Sequence, residues 1–165
     1  MRYRGFTLIE MIVVLAIVAI LALVAMPNTA PLEARKKVKD ALEYTEKLKP
    51  NIEAIYLANG YSFPATNKLA GLPDADKLIS NDISSITVDD GVLHVLLGNN
   101  VYPILKGKTV SIQPLVVKGS ASSPIDWRCG LADIPDGMEA VGTNKTDLDN
   151  ALLPFACRKK NQINN

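Results

Sequence analysis

From Met11 to Met26 the chain runs through sixteen apolar residues without a break, and 19 of the 21 positions from Phe6 to Met26 are apolar. As a helix that stretch rises about 31 Å, enough to cross a bilayer core. Pro27 and Pro31 follow it. Each removes an amide donor and crowds the carbonyl four residues back, so the helix is expected to kink or loosen there. Beyond Pro31 the pattern becomes amphipathic. Val38, Ala41, Leu42, Leu48, Ile52, Ile55 and Tyr56 recur at spacings of three and four, while Lys36, Lys37, Lys39, Asp40, Glu43, Lys47 and Glu53 fill the opposite face. Pro50 interrupts this second run, and Asn59-Gly60 closes it.

The remainder reads as loop and strand. Residues 59–81 are rich in Gly, Pro, Asn and Asp, with Tyr61 and Phe63 as anchors and one short helix expected near 75–79. Ile86 and Val88 alternate with polar residues, Asp90-Gly91 supplies a turn, and Val92 to Leu97 continues as the second arm of a hairpin. Residues 109–118 are β-rich, but Pro114 argues for an edge or bulged strand. Ile125, Trp127 and Cys129 alternate with Asp126 and Arg128, which places one apolar face and the cysteine inward. Strands packed on one amphipathic helix make an α+β domain with a small antiparallel sheet.

Charge and composition narrow the function. The 165 residues carry 18 Lys+Arg against 17 Asp+Glu, a net charge of +1, which argues against a strongly basic nucleic-acid binder. One histidine and two cysteines cannot assemble a His- or Cys-rich zinc site. His94 sits in a Val-Leu-His-Val-Leu run and reads as a sheet-face residue rather than a base. No catalytic or phosphate-binding motif occurs, so no enzyme activity, cofactor or metal is expected. Asp147-Leu148-Asp149-Asn150 lacks the ligand spacing of an EF-hand and reads as a solvated loop. Arg35, Lys36, Lys37 and Lys39 have a DNA or lipid-headgroup reading. Glu33, Asp40, Glu43 and Glu46 sit among them and favour a mixed, solvated face.

The amino terminus carries the sharpest signal. Arg2 and Arg4 precede Gly5-Phe6-Thr7-Leu8-Ile9-Glu10 and the apolar run. The basic leader keeps this end cytoplasmic. A secretory signal peptide and a plain single-span anchor are two readings of such a segment. Glu10 fits neither well: a carboxylate at membrane depth costs roughly 2.5–3.5 kcal/mol on insertion scales and is ordinarily paired. No cation follows it before Arg35, so its partner is expected from another chain or from a new amino terminus made nearby.

This leader, glycine, phenylalanine and glutamate resemble the class III signal of type IV pilins. The resemblance implies that a membrane-embedded prepilin peptidase removes residues 1–5 by cutting between Gly5 and Phe6, and that Phe6 becomes N-methylphenylalanine. Residues 6–30 would then be the hydrophobic membrane and assembly helix, with Pro27 at a place where the helix melts during assembly. Glu10 would pair with the Phe6 ammonium of a neighbouring subunit. Residues 31–165 would form the globular head of the pilin fold.

Cys129 and Cys157 lie in a segment sent out of the cytoplasm, where pairing is the default. The 29-residue loop they close is worth about 3–4 kcal/mol in the chain-entropy model. They also resemble the disulfide-bounded carboxy-terminal region of type IVa pilins. The sequon Asn144-Lys145-Thr146 reads as chance in a bacterial-type pilin. The implied function is a structural subunit that polymerises through its amino-terminal helix into a surface filament for adhesion, twitching motility or DNA uptake. A minor pilin, a type II secretion pseudopilin and a DNA-binding pilin-like receptor are the alternatives. The implied partners are further copies of the chain, the prepilin peptidase, the inner-membrane assembly machinery and the inner membrane before assembly. DNA or a host surface would be outside partners. Location would pass from the inner membrane to the extracellular filament.

Overall fold

The computed structural model describes residues 7–24 and 30–160. The chain divides into two compact units, Met1–Ala30 and Pro31–Asn165. The first contains helix α1, Leu8–Val24, whose residues from 7 to 22 are all exposed. Gly5, Phe6 and Pro27 lie outside the described residues.

The second unit takes the amphipathic run as two helices, α2 (Ala30–Thr45) and α3 (Lys49–Ala58). The break at residues 46–48 has a local cause. Pro50 has no amide to offer the carbonyl of Glu46 and its ring crowds that carbonyl, so the helix opens one turn upstream. Pro50 then sits in the first turn of α3, where a missing N–H costs nothing. The buried Thr45 hydroxyl also donates 2.6 Å to the Leu42 carbonyl, a back-bond that bends helices. After the break Leu48, Ile52 and Tyr56 resume the buried stripe begun by Ala34, Val38, Ala41 and Leu42. Tyr56 anchors the end of α3: its ring stacks on Phe63 at 4.2 Å and its hydroxyl donates to the Ala121 carbonyl.

The sheet has five antiparallel strands: β1 (Ile83–Asp89), β2 (Val92–Leu97), β3 (Thr109–Val117), β4 (Asp126–Cys129) and β5 (Met138–Ala140). Their order is β1-β2-β3-β4, with β5 also on β3. The β1–β2 hairpin turns on Asp90 (φ 48°) and Gly91 (φ 82°), the positive-φ pair that a tight two-residue turn demands. A Cβ on Gly91 would also stand 2.5 Å from the Phe63 ring. On one face Ile86, Val88, Leu93, Val95, Leu97, Val110 and Ile112 form a single core with the helical stripe.

β3 corrects the expectation of an edge strand. It is central, pairing with β2, β4 and β5 in turn. Proline is tolerated because the β2 ladder ends at Ile112, before Pro114 is reached. Its carbonyl still accepts the Val141 amide.

The opposite face of β2 and β3 is also covered. His94 and Ser111 are cross-strand partners, and with Gln113 they make a buried polar row. The segment 141–147 lies over it as a strap, held by hydrogen bonds to Thr109, Ser111, Gln113 and Pro114.

Candidate functional site

α1 carries the candidate chemistry. The Thr7 amide and hydroxyl both donate to Glu10 Oε2 at 2.8 Å, and the Glu10 amide returns to Thr7 Oγ1 at 3.4 Å. This is a reciprocal capping box, in which two orphan donors at the helix start are satisfied at once. In the single chain Glu10 therefore has a neutral partner in its own segment, rather than the cation that the sequence lacks before Arg35. The Thr-x-x-Glu spacing before an apolar run was the signal for it.

The rest of α1 is apolar on every side. Leu8 is 81% exposed, and Ile9, Ile12, Leu15, Val18 and Leu21 are all more than half exposed. A helix apolar all round is stable only when lipid or protein surrounds it. Among the described residues no helix is long and apolar enough to cross a membrane. α1 has 17 residues and rises about 26 Å, short of a hydrocarbon core of about 30 Å.

In the head, Cys129 and Cys157 form a disulfide with Cα atoms 4.8 Å apart. The bridge joins β4 to the carboxy-terminal turn Phe155–Cys157, and the Leu131 amide donates 2.8 Å to the Cys157 carbonyl beside it. Gly130 (φ 58°) permits this approach, since a Cβ there would stand 2.8 Å from that carbonyl. A groove of about 380 Å³ lies between the helices and the bridge, with Leu42, Ile112, Trp127, Pro154 and Phe155 on its walls. The Trp127 indole donates 2.7 Å to Glu53, and Lys49 Nζ stands 5.5 Å from the ring centroid.

The polar candidates resolve into structural roles. Lys37 pairs with Asp82 at 2.9 Å, Arg35 donates to the Ala151 carbonyl at 2.6 Å, and Lys39 meets Glu43 at 3.5 Å. Three of the four basic residues are thus engaged within the head or on their own helix face, and Lys36 is exposed. Asp147 accepts the Thr109 amide, Asp149 caps Ala151, and Asn144 donates to the Gly130 carbonyl. Among the described residues no group of three or more His, Cys, Asp or Glu could hold a metal ion. His94 faces the buried side of the strap, and burial first, then the Lys145 charge, hold its pKa below the ordinary histidine value.

Residues 34–158 match the pilin family of bacterial filament proteins, and residues 1–26 match the prokaryotic N-terminal methylation motif. A fimbrial protein of Neisseria meningitidis serogroup B is 32% identical, the match covering 94% of each chain. A type IV major pilin protein, PilE1, of Neisseria gonorrhoeae is 32% identical over 94% of this chain and 87% of its own length. The type IV major pilin protein PilA of Myxococcus xanthus is 46% identical over a shorter stretch, 34% of this chain and 23% of its own. With the helix-on-sheet fold and the bridge, these matches place the chain: it belongs to the type IV pilins, the pilin family of structural subunits that build bacterial filaments.

Proposed function

We propose that this pilin is the major structural subunit of its filament and that α1 is the element that assembles it. The exposure of α1 carries the assembly role, and the relatives named as major pilins support the major one. A helix with Leu, Ile, Val and Ala on every side needs a surrounding that its own chain does not give it between residues 7 and 22. Before assembly that surrounding is the inner membrane, which the apolar run of residues 6–26 enters with its amino terminus on the cytoplasmic side. In the filament it is the α1 helices of neighbouring copies.

Cleavage between Gly5 and Phe6 by a prepilin peptidase frees an ammonium, methylated on its nitrogen, beside the capping pair. Glu10 then has two competing partners, Thr7 in its own chain and the Phe6 ammonium of a neighbour. The ammonium is the stronger partner in a dry filament core, because a hydrogen bond between two charged groups outweighs a neutral one. Pro27 is where the helix loosens as subunits pack. The chain itself turns nothing over; the assembly machinery of the inner membrane supplies the work. Adhesion, twitching and DNA uptake are tasks of the finished filament, and DNA or a host surface is its outside partner.

Mass spectrometry of sheared surface filaments tests this. The expected result is that this chain dominates the preparation and starts at an N-methylated Phe6. A trace amount beside another pilin would assign it to a minor role, and a start near Ala30 would overturn the processing.

A further inference from the structure

The buried polar row beneath the strap contains one group that nothing satisfies. His94 Nε2 is buried without a hydrogen-bond partner, 3.8 Å from Asp89 Oδ2. Asp89 is itself held by Lys145 Nζ at 2.7 Å. On the other side of the ring, Nδ1 lies 2.9 Å from Ser111 Oγ, which also accepts the Lys145 amide at 2.8 Å. A hydroxyl that accepts from an amide has its one proton left for Nδ1. In the neutral ring Nδ1 can accept that proton, which leaves the Nε2 proton facing Asp89.

The charged groups facing His94 are Asp89 from the end of β1 and Lys145 from the strap; β3 offers only the Ser111 hydroxyl. The geometry points to an acid-sensitive latch: protonation of His94 releases the strap 141–147 from the outer face of β2 and β3, while the Cys129–Cys157 bridge keeps its two ends attached to the head.

The steps follow from the contacts. A proton added at Nδ1 reverses the bond to Ser111, whose hydroxyl proton must turn away while Oγ accepts from both Nδ1 and the Lys145 amide. The new imidazolium is buried beside the Lys145 ammonium, and its one carboxylate is already shared with that ammonium. Lifting the strap removes the Lys145 charge, admits water to the ring and leaves Asp89 to the imidazolium. The strap's described ties to the sheet are the hydrogen bonds of Lys145, Thr146 and Asp147 to β3 and the Lys145–Asp89 ion pair, which the imidazolium competes for.

The sign is fixed by burial. Folding holds the His94 pKa below its ordinary value near 6.5, so the open state takes up the proton first and acid favours opening. Between pH 7.5 and 5.5 one such proton raises the open population by at most about tenfold. Asp89, whose pKa the Lys145 contact lowers, stays ionised across that range.

Hydrogen exchange of the full chain in detergent micelles, corrected for intrinsic rates, reads this directly. The expected result is more opening at pH 5.5 than at 7.5 in segment 141–147, up to about tenfold, with β1 and β2 equally protected at both. His94→Gln is expected to remove the pH dependence of the strap. Imidazole NMR of the unaltered chain supplies a readout independent of that variant's folding: His94 is expected to remain neutral below pH 6.5 while the strap is closed. Equal strap exchange at both pH values, pH-dependent exchange that persists in His94→Gln, opening of β1 and β2 together with the strap, or a His94 that titrates at 6.5 or above in the closed head would each overturn the latch.

Discussion

Helices α1 and α3 are built from the same apolar vocabulary and are used in opposite ways. α3 buries Ile52 and Tyr56 against its own chain and leaves Leu57 in water. α1 exposes every residue from 7 to 22, and its described side-chain hydrogen bonds are those of one capping pair at its start. An amphipathic helix is specified by the sheet it covers. A helix apolar all round is specified by what surrounds the protein, and its correct partner is another molecule. Stability of the head and assembly of the filament are therefore separable, and substitutions in the two regions should fail differently.

The largest effect is expected from Glu10→Val. It makes the segment more apolar, so processing and membrane retention should continue, while surface filaments seen by electron microscopy fall to few or none. The cause is a neighbour's ammonium left buried without its carboxylate, at several kcal/mol. Normal filaments from processed Glu10→Val protein would refute the pairing. In the head, Ile52→Ala should cost about 2–5 kcal/mol in denaturant unfolding, whereas Leu57→Ala, on the outer face of the same helix and 62% exposed, should stay within about 0.5 kcal/mol. Similar losses at both positions would mean that the buried stripe is misplaced. Cys157→Ala removes the constraint on the 29-residue loop and should lower head stability by roughly 2–5 kcal/mol, with fewer filaments as a consequence rather than a cause. Peptide mapping without reductant should show the bridge in the unaltered chain.

Within α1, Thr7→Ala should have a much smaller effect on filaments than Glu10→Val. It removes one side of the cap, worth about 0.5–2 kcal/mol at the helix start, but leaves Glu10 free to meet a neighbour. It sharpens the contrast within α1. If Glu10 serves only as a local cap, Thr7→Ala and Glu10→Val will give the same phenotype. If it serves assembly, filaments will survive the first and not the second.

Much of this division is legible in the chain. The unbroken apolar run marks α1, and Asp90-Gly91 between alternating residues marks the β1–β2 hairpin, because only a positive-φ pair closes so short a turn. The amphipathic stripe of α2 and α3 follows from spacing alone. What is not legible depends on distant neighbours. Pro114 marks a strand interruption, but whether β3 is central depends on where β2 ends and on β4 and β5 arriving from later in the chain. β5 has three residues, too few to show alternation. The polar row of His94, Ser111 and Gln113 joins residues that have no common pattern until the sheet registers them. At the amino terminus the Thr7–Glu10 cap is legible as a Thr-x-x-Glu motif ahead of the apolar run.

The most direct test of the assembly role of α1 is a cryo-electron microscopy reconstruction of sheared filaments at a resolution that shows side chains. α1 from Leu8 to Val24 is expected in the filament interior, packed against the same helix of neighbouring copies. The Glu10 carboxylate is expected within hydrogen-bond distance of a neighbour's Phe6 amine. Helices α1 lying on the outside of the shaft, or Glu10 still bound to Thr7 alone with every neighbouring amine elsewhere, would contradict that role.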